Sequence, residues 1–407
     1  MRALLQGYTG LVPPLRFPDA RSLVLREVRA AAVPPEVETV SLLDAAGRVL
    51  AADAVADRDY PPFDRAMRDG FAVRFDDLPG TVRLIGEVRA GEVWEGIVGA
   101  GEAVEIMTGA PVPAGANAVV MVEHCTRGED GTISCRQEIG DGGNVTAAGS
   151  EAKAGSAAIA AGTRIDHTVI AWLASIGTTS VPVFSRLRVA IIATGDELVG
   201  VEETPLPHQI RDSNTYALAA QIARAGAIPV IIAVARDTVE ATRTCIEKGL
   251  EADLVLLSGG VSAGKYDVVE IVLAELGAKF FFDRVLIQPG APLVFGKVRD
   301  KFFFGLPGNP GSTMMTFELF ARAAIDLLSG CNDAPLPMTL GRLTHEFKHK
   351  AGLTRFLPSY IACGEVTPVA SKGSGDVPAI ARNNGFLVAD AEKTEYAAGE
   401  LIPVLLK

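Results

Sequence analysis

The sequence predicts an α/β plus β protein in several domains, with a parallel-sheet α/β unit flanked by small β-rich units. Three observations carry that prediction. Apolar runs and helical patterns alternate from Leu187 to about Gly330, short β-prone segments broken by glycines fill Tyr60 to about Gly149, and the tail from Pro335 to Lys407 returns to short alternating strands. At 407 residues the chain is also too long for one ordinary core.

In chain order, Met1 to Pro18 has only short apolar pieces interrupted by Gly and Pro, too little for a signal peptide or a membrane span. The pattern of Ala20 to Ala32 predicts an amphipathic helix, followed by Val37 to Leu42 and a second helical piece ending near Leu50. After a linker rich in Pro and Asp, Thr81 to Val88, Ala103 to Met107 and Ala118 to His124 read as strands of a small β unit, which the glycine-rich stretch 140–155 closes. Asp166 reads as the N-cap of a helix through Trp172 that Gly177 stops, leading back to the first region. Strands at Val189 to Ala193, Ile228 to Ala235 and Leu254 to Leu257 then alternate with helices at Thr215 to Ala225 and Val239 to Leu250. Ile361 to Val366 and Phe386 to Ala389 are strands of the last unit.

Lys and Arg total 38 against 49 Asp and Glu, a formal charge of -11, which disfavours a general affinity for nucleic acid or anionic membrane. An anionic substrate must therefore meet local basic residues. The five cysteines are scattered without a Cys-x-x-Cys pair, so neither a disulfide framework nor a zinc ribbon is expected. Reduced thiols in a soluble cytoplasmic protein fit this composition.

The stretch Ser258 to Asp267 follows an apolar run and precedes a helical pattern, the arrangement in which backbone N–H groups and a helix dipole cradle phosphate. Gly259, Gly260, Ser262 and Gly264 make the turn; a tight strand-to-helix connection needs the same glycines. The spacing from Gly259 to Gly264 and Lys265 approaches a P-loop, but Tyr266 stands where a small hydroxyl would ligate Mg²⁺, so a P-loop ATPase is rejected. Asp267 beside the turn suggests a metal held by acids. Other strand ends carry Thr194, Gly195, Asp196 and Glu197, and Arg236 with Asp237, where ligands of doubly wound sheets sit. Asp69, Asp196, Glu197, Asp237 and Asp267 are gathered into one expected site, although carboxylates at loops are often caps or turn residues. The turn Gly305 to Ser312, with Pro307, Gly308 and Pro310, reads as a second rigid strand-turn-helix junction. His345-Glu346-Phe347-Lys348-His349 fits a zinc-protease pattern only on a helix, whereas its β-prone setting predicts a strand and no zinc.

Taken together, Pro61-Pro62-Phe63-Asp64, Asp69 to Arg74, Ile106 to Pro113, Ala193 to Leu198, Gly259 to Ser262 and Gly305 to Pro310 resemble molybdopterin molybdenumtransferase, the family that includes the gephyrin E domain. The agreement in order and spacing runs from about Pro18 to Lys407. The resemblance implies an elongated subunit of four domains: 18–55 with 145–181, 56–144, 182–331 (the three-layer molybdopterin-binding-type α/β domain) and 332–407 (β-barrel-like). It implies a homodimer in which the β-rich second domain of one subunit meets the α/β domain of the other. It also implies a reaction in which adenylylated molybdopterin and molybdate give molybdenum cofactor and AMP with a divalent cation, Mg²⁺. A molybdopterin adenylyltransferase upstream and cofactor-accepting molybdoenzymes downstream would be partners. Asp69, Thr108, Glu197, Asp237, Asp267, Pro307 and Pro310 carry over as functional positions, with Asp69 assigned to catalysis and Glu197, Asp237 and Asp267 to metal or nucleotide.

The sequence departs from the family at three places. Arg65 to Arg68 replace the usual Asn-Ser-Ala-Met, a basic run is replaced by Thr146 to Glu151, and the lysines of a Lys-Pro-Gly-Lys-Pro motif are Gln288 and Ala291. Those lysines are credited in the family with holding anions; Arg65, Arg68, Lys265, Arg284 and Lys297 are the candidates to compensate. A nucleotide-pyrophosphate hydrolase of the same fold and a non-catalytic scaffold are the competing functions, and the carboxylates at Asp69, Asp237 and Asp267 favour an enzyme.

Overall fold

A computed structural model describes residues 13–260 and 268–407. The Gly259–Asp267 turn is therefore described only to Gly260, and Ser262, Gly264, Lys265 and Asp267 lie outside the described residues.

The elements are α1 (Phe17–Ala31), β1 (Val37–Ser41), β2 (Gly70–Val73), β3 (Gly80–Val88), β4 (Glu102–Ile106), β5 (Ala118–Met121), β6 (Cys125–Arg127) and β7 (Thr132–Cys135). They continue with α2 (His167–Ser175), β8 (Ser180–Phe184), β9 (Arg188–Ala193), α3 (Asn214–Arg224), β10 (Ile228–Ile231), α4 (Val239–Gly249), β11 (Leu254–Ser258) and α5 (Val268–Glu275). Then come β12 (Lys279–Arg284), β13 (Pro292–Val298), β14 (Lys301–Leu306), α6 (Pro310–Thr316), α7 (Arg322–Leu328), β15 (Met338–Leu343), β16 (Thr354–Ala362), β17 (Glu365–Pro368), β18 (Gly385–Ala389) and β19 (Leu401–Leu406).

The central unit is a six-stranded sheet in the order β10-β9-β11-β14-β13-β12, parallel through β14 and antiparallel beyond it. Its strands read as continuous apolar runs because both faces are covered. Val189, Ile191, Leu254, Leu256, Phe302 and Phe304 face one core with α3 and α7, while Ala190, Ile192, Val255, Leu257 and Phe303 face the other with α4 and α5. The expected three-layer architecture is present. Helix α1 buries Ala20, Val24 and Val28 in the first of these cores, and Arg21 is fixed there by the carbonyls of Leu319 and Ala334. The helix thus joins the α/β core, apart from the core that Leu50, Tyr60, Leu173, Val181 and Val183 form around the β1–β8 ribbon.

Asp166 caps α2 as expected, accepting from the N–H groups of Thr168 and Val169. The helical piece expected near Leu50 is a turn region instead, in which Ala45 N donates to Ser41 O and Gly47 at φ 75° reverses the chain.

The small β unit has strand order β5-β2-β4-β3-β7-β6. Its outermost strands β5 and β6 are joined only by Val122–His124. Six flat strands would hold their edges roughly 24 Å apart, whereas the link from Met121 to Cys125 reaches at most about 15 Å, so the sheet is rolled until its edges approach. Arg127 on β6 confirms the roll by pairing with Glu105 of β4 and lying over the Phe71 ring of β2.

In the C-terminal unit β16-β17-β15-β19-β18 close back onto β16, a five-stranded barrel around Leu343, Val366, Leu387, Ile402 and Val404. Phe347–Lys348 is a strand, as its β-prone setting predicts. Among the described residues no three His, Cys, Asp or Glu side chains gather as a metal site, and no helix is long and apolar enough to cross a membrane.

Candidate active site

A cleft of about 950 Å³ opens at the carboxyl ends of the parallel strands. Thr194, Gly195, Glu197, Asp237, Ser258, Gly259, Gly260, Pro307, Gly308 and Pro310 line it, so of the described α/β residues expected at the site only Asp196 is missing from the lining. Gly259 is required by close approach: at φ 89°, a Cβ would lie 2.7 Å from Thr194 O. Its N–H donates to Leu306 O, so this one group of the turn ties two strand ends together. Arg211, Asp212, Ser213, Asn214, Thr242, Ser258, Asn309 and Thr194 supply further polar lining, and the amino-terminal end of α3 meets the cleft at Asn214, where its dipole is positive.

Asn214 escapes sequence reasoning, since it reads only as an ordinary helix-start residue. Its Nδ2 donates to Ser258 Oγ at 2.9 Å and to Gly308 O at 2.8 Å, joining the turns after β11 and β14. A carbonyl can only accept, so Gly308 fixes which way the carboxamide points. Among the described residues, Asn214 Oδ1 and Thr194 Oγ1 find no hydrogen-bond partner and lie buried at the cleft.

Asp196 is not among the lining residues: its Oδ1 accepts from Asp237 N at 3.3 Å, and Arg236 holds its carbonyl, so it positions the Asp237 loop. Asp69 also lies outside the cleft. It precedes β2 while Thr108 follows the antiparallel β4, and Gly70 opposite Ile106 brings the two together on the β unit. Thr108 donates to Asp69 Oδ1 from its N at 2.6 Å and its Oγ1 at 2.7 Å. The backbone donor first, then the hydroxyl, hold the Asp69 carboxyl below the usual aspartate range. Gly70 lets β2 lie against β5, because a Cβ there would be 2.0 Å from Val120 O.

A second cavity of about 580 Å³ adjoins the cleft through Pro292, Pro307 and Asn309. Gln288 and Ala291, where family lysines are absent, line it together with Phe356 and Phe386 of the barrel. Of the cations expected to compensate, Arg65 pairs with Glu151 at 3.1 Å and Lys297 lies over the Phe302 ring. Arg355, not foreseen from the sequence, stands opposite Gln288 in the pairing of 287–288 with 354–355, its Nε buried without a partner among the described residues.

Three family models match: the MoeA N-terminal region (domain I and II) over residues 15–177, a probable molybdopterin binding domain over 190–326, and the MoeA C-terminal region (domain IV) over 341–407. The molybdopterin molybdenumtransferase of Bacillus subtilis is 34% identical over 387 residues, 91% of this chain and 90% of that one. The chain belongs to the molybdopterin molybdenumtransferase (MoeA) family. The Haemophilus influenzae enzyme of that name is 31% identical over 96% of this chain and 98% of its own. The crystal structure of the molybdopterin biosynthesis moeA protein of Pyrococcus horikoshii OT3 superposes with a TM-score of 0.76 at 27% identity, over 97% of this chain and all of that one. The MoeA assignment covers the α/β unit, the rolled β unit and the barrel alike, so the resemblance carried by six short motifs extends through the whole fold.

Proposed function

We propose that the chain is a molybdenum-inserting transferase of molybdenum cofactor biosynthesis, which reacts adenylylated molybdopterin with molybdate and releases AMP. The observation that carries this reading is the cleft at the strand ends, lined by Thr194, Glu197, Asp237, Ser258 and Pro307, in a chain matched over nearly its full length by relatives of that name.

In this reading the cleft positions the phosphoanhydride, and the positive end of α3 favours its charge. Asn214 keeps the two turns at fixed separation. Glu197 and Asp237 suit Mg²⁺, which takes one or two carboxylates together with substrate phosphates; Asp267 is the further candidate ligand. Bound there, Mg²⁺ would neutralise phosphate charge as the anhydride is cleaved. The second cavity, whose lining residue Gln288 pairs with Arg355 in the adjacent strand, is the proposed place for molybdate.

Asp69 is proposed to act from the neighbouring subunit of a homodimer, since its own chain leaves it outside the cleft. Mixing Asp69→Asn with Asp237→Asn protein tests this: random exchange makes half the dimers mixed, each with one intact site, so about a quarter of wild-type AMP release returns. No recovery after exchange, with mixed dimers demonstrated, would place Asp69 and Asp237 in the same chain's site or remove one from it.

A further inference from the structure

The rolled β unit holds two thiols that the proposed reaction does not use. Cys125 opens β6 and Cys135 closes β7, and the antiparallel register sets them directly opposite each other. Their Sγ atoms stand 2.6 Å apart, inside the ~3.5–4.0 Å at which nonbonded heavy atoms rest. Both are free thiols, Cys135 buried and Cys125 partly so, against a core of Phe71, Val82, Val120 and Ile133. The spacing of ten residues gave no sign of this, because no short cysteine motif encodes a contact between adjacent strands.

The pair sits at the joint where the rolled sheet's edges approach. Cys125 N donates to Val122 O, closing the short turn that links β5 to β6, and Arg136 N donates to His124 O of the same turn. Val122 N in turn donates to Asp69 O at 3.2 Å. A bond between the sulfurs would therefore tie this turn to β7 beside the backbone that carries Asp69.

We propose that Cys125 and Cys135 are a reversible dithiol–disulfide site, closed by a peroxide and reopened by a small thiol. Cys125, the more accessible sulfur, attacks the peroxide as thiolate; the O–O bond breaks, and one water leaves as Cys125 becomes a sulfenic acid. The Cys135 sulfur then displaces the sulfenic oxygen as a second water. The two thiols give up two electrons and two protons, and hydrogen peroxide becomes two waters. Two small-thiol molecules reverse the bond through a mixed disulfide and leave as their own disulfide. Burial raises both thiols above their ordinary range, so little thiolate is present and closure is slow.

The test treats the full chain with hydrogen peroxide, blocks remaining thiols with N-ethylmaleimide and digests it with trypsin. Cleavage after Arg127 puts the two cysteines on different peptides, which only a disulfide can hold together. The expected result is a Cys125–Cys135 cross-linked pair that dithiothreitol separates. Cys125→Ser should abolish the pair; it is the first variant because Cys125 is only partly buried, and Cys135→Ser is the second. Full alkylation of Cys125 and Cys135 after peroxide, over-oxidation of Cys125 without a cross-link, or pairing with another cysteine would each overturn the proposal.

Discussion

Asn214 joins two of the segments that line the cleft, and the effect of replacing it has a calculable size. Asn214→Ala deletes two hydrogen bonds, a partly buried one to Ser258 Oγ and an exposed one to Gly308 O. At about 0.5–1.5 kcal/mol each, the loss is about 1–3 kcal/mol. A loss of about 2 kcal/mol lowers the melting temperature of a domain this size by roughly 4–8 °C. Asn214→Asp should cost more despite its equal size, because a carboxylate oxygen replaces the amide nitrogen 2.8 Å from the Gly308 carbonyl. Differential scanning calorimetry measures the stability, and isothermal titration with AMP measures the site. AMP affinity should fall at least about tenfold in Asn214→Asp, equivalent to about 1.4 kcal/mol. Ser258→Ala added to Asn214→Ala should cost less than the sum of the single changes, since both remove one shared bond. Melting within a degree of wild type, with unchanged AMP binding in both variants, would refute the view that Asn214 holds the two turns.

Thr108→Val removes the hydroxyl that helps hold the Asp69 carboxyl below its usual range. A depressed carboxyl keeps its charge until pH falls through that lowered value, so the variant should lose activity at a higher pH on the acid side; an unmoved acid limb would detach Asp69 ionisation from the reaction. The double change Gln288→Lys with Ala291→Lys, in the second cavity, should lower the molybdate concentration for half-maximal cofactor formation while leaving AMP affinity nearly unchanged. If molybdate dependence stays the same, Arg355 or another cation already supplies the anion site. Metal analysis should find no zinc that depends on His349, because Phe347–Lys348 is a strand and the two histidines are not one turn apart on a helix face.

The α/β unit was legible because its strands are buried on both faces and its helices on one, two patterns that hydrophobic periodicity and run length separate. Glu197, Asp237 and Pro307 were legible for a related reason: ligand-facing residues of such sheets gather at strand ends, and strand ends can be counted along the chain. Contacts between distant segments were not. Asn214 and Gly308 are 94 residues apart, and nothing at position 214 distinguishes a residue clamping two turns from a helix start. Asp69 illustrates the converse, since its motif is visible but its place outside the cleft follows from how β2 and β4 pair. The roll of the β unit, which brings Cys125 against Cys135, likewise depends on strand order, which local patterning does not specify.

The central claim is that AMP release is coupled to molybdenum insertion in this chain's cleft. The direct measurement incubates the purified protein with adenylylated molybdopterin and Mg²⁺, with and without molybdate, and follows AMP together with molybdenum bound to the pterin product. The account predicts AMP and inserted molybdenum in equal amounts, with AMP release falling at least about tenfold in Glu197→Gln, a loss of about 1.4 kcal/mol of transition-state stabilisation. AMP released at full rate without any molybdenum inserted would make the protein a hydrolase, and binding without AMP release would make it a scaffold; either result contradicts the account.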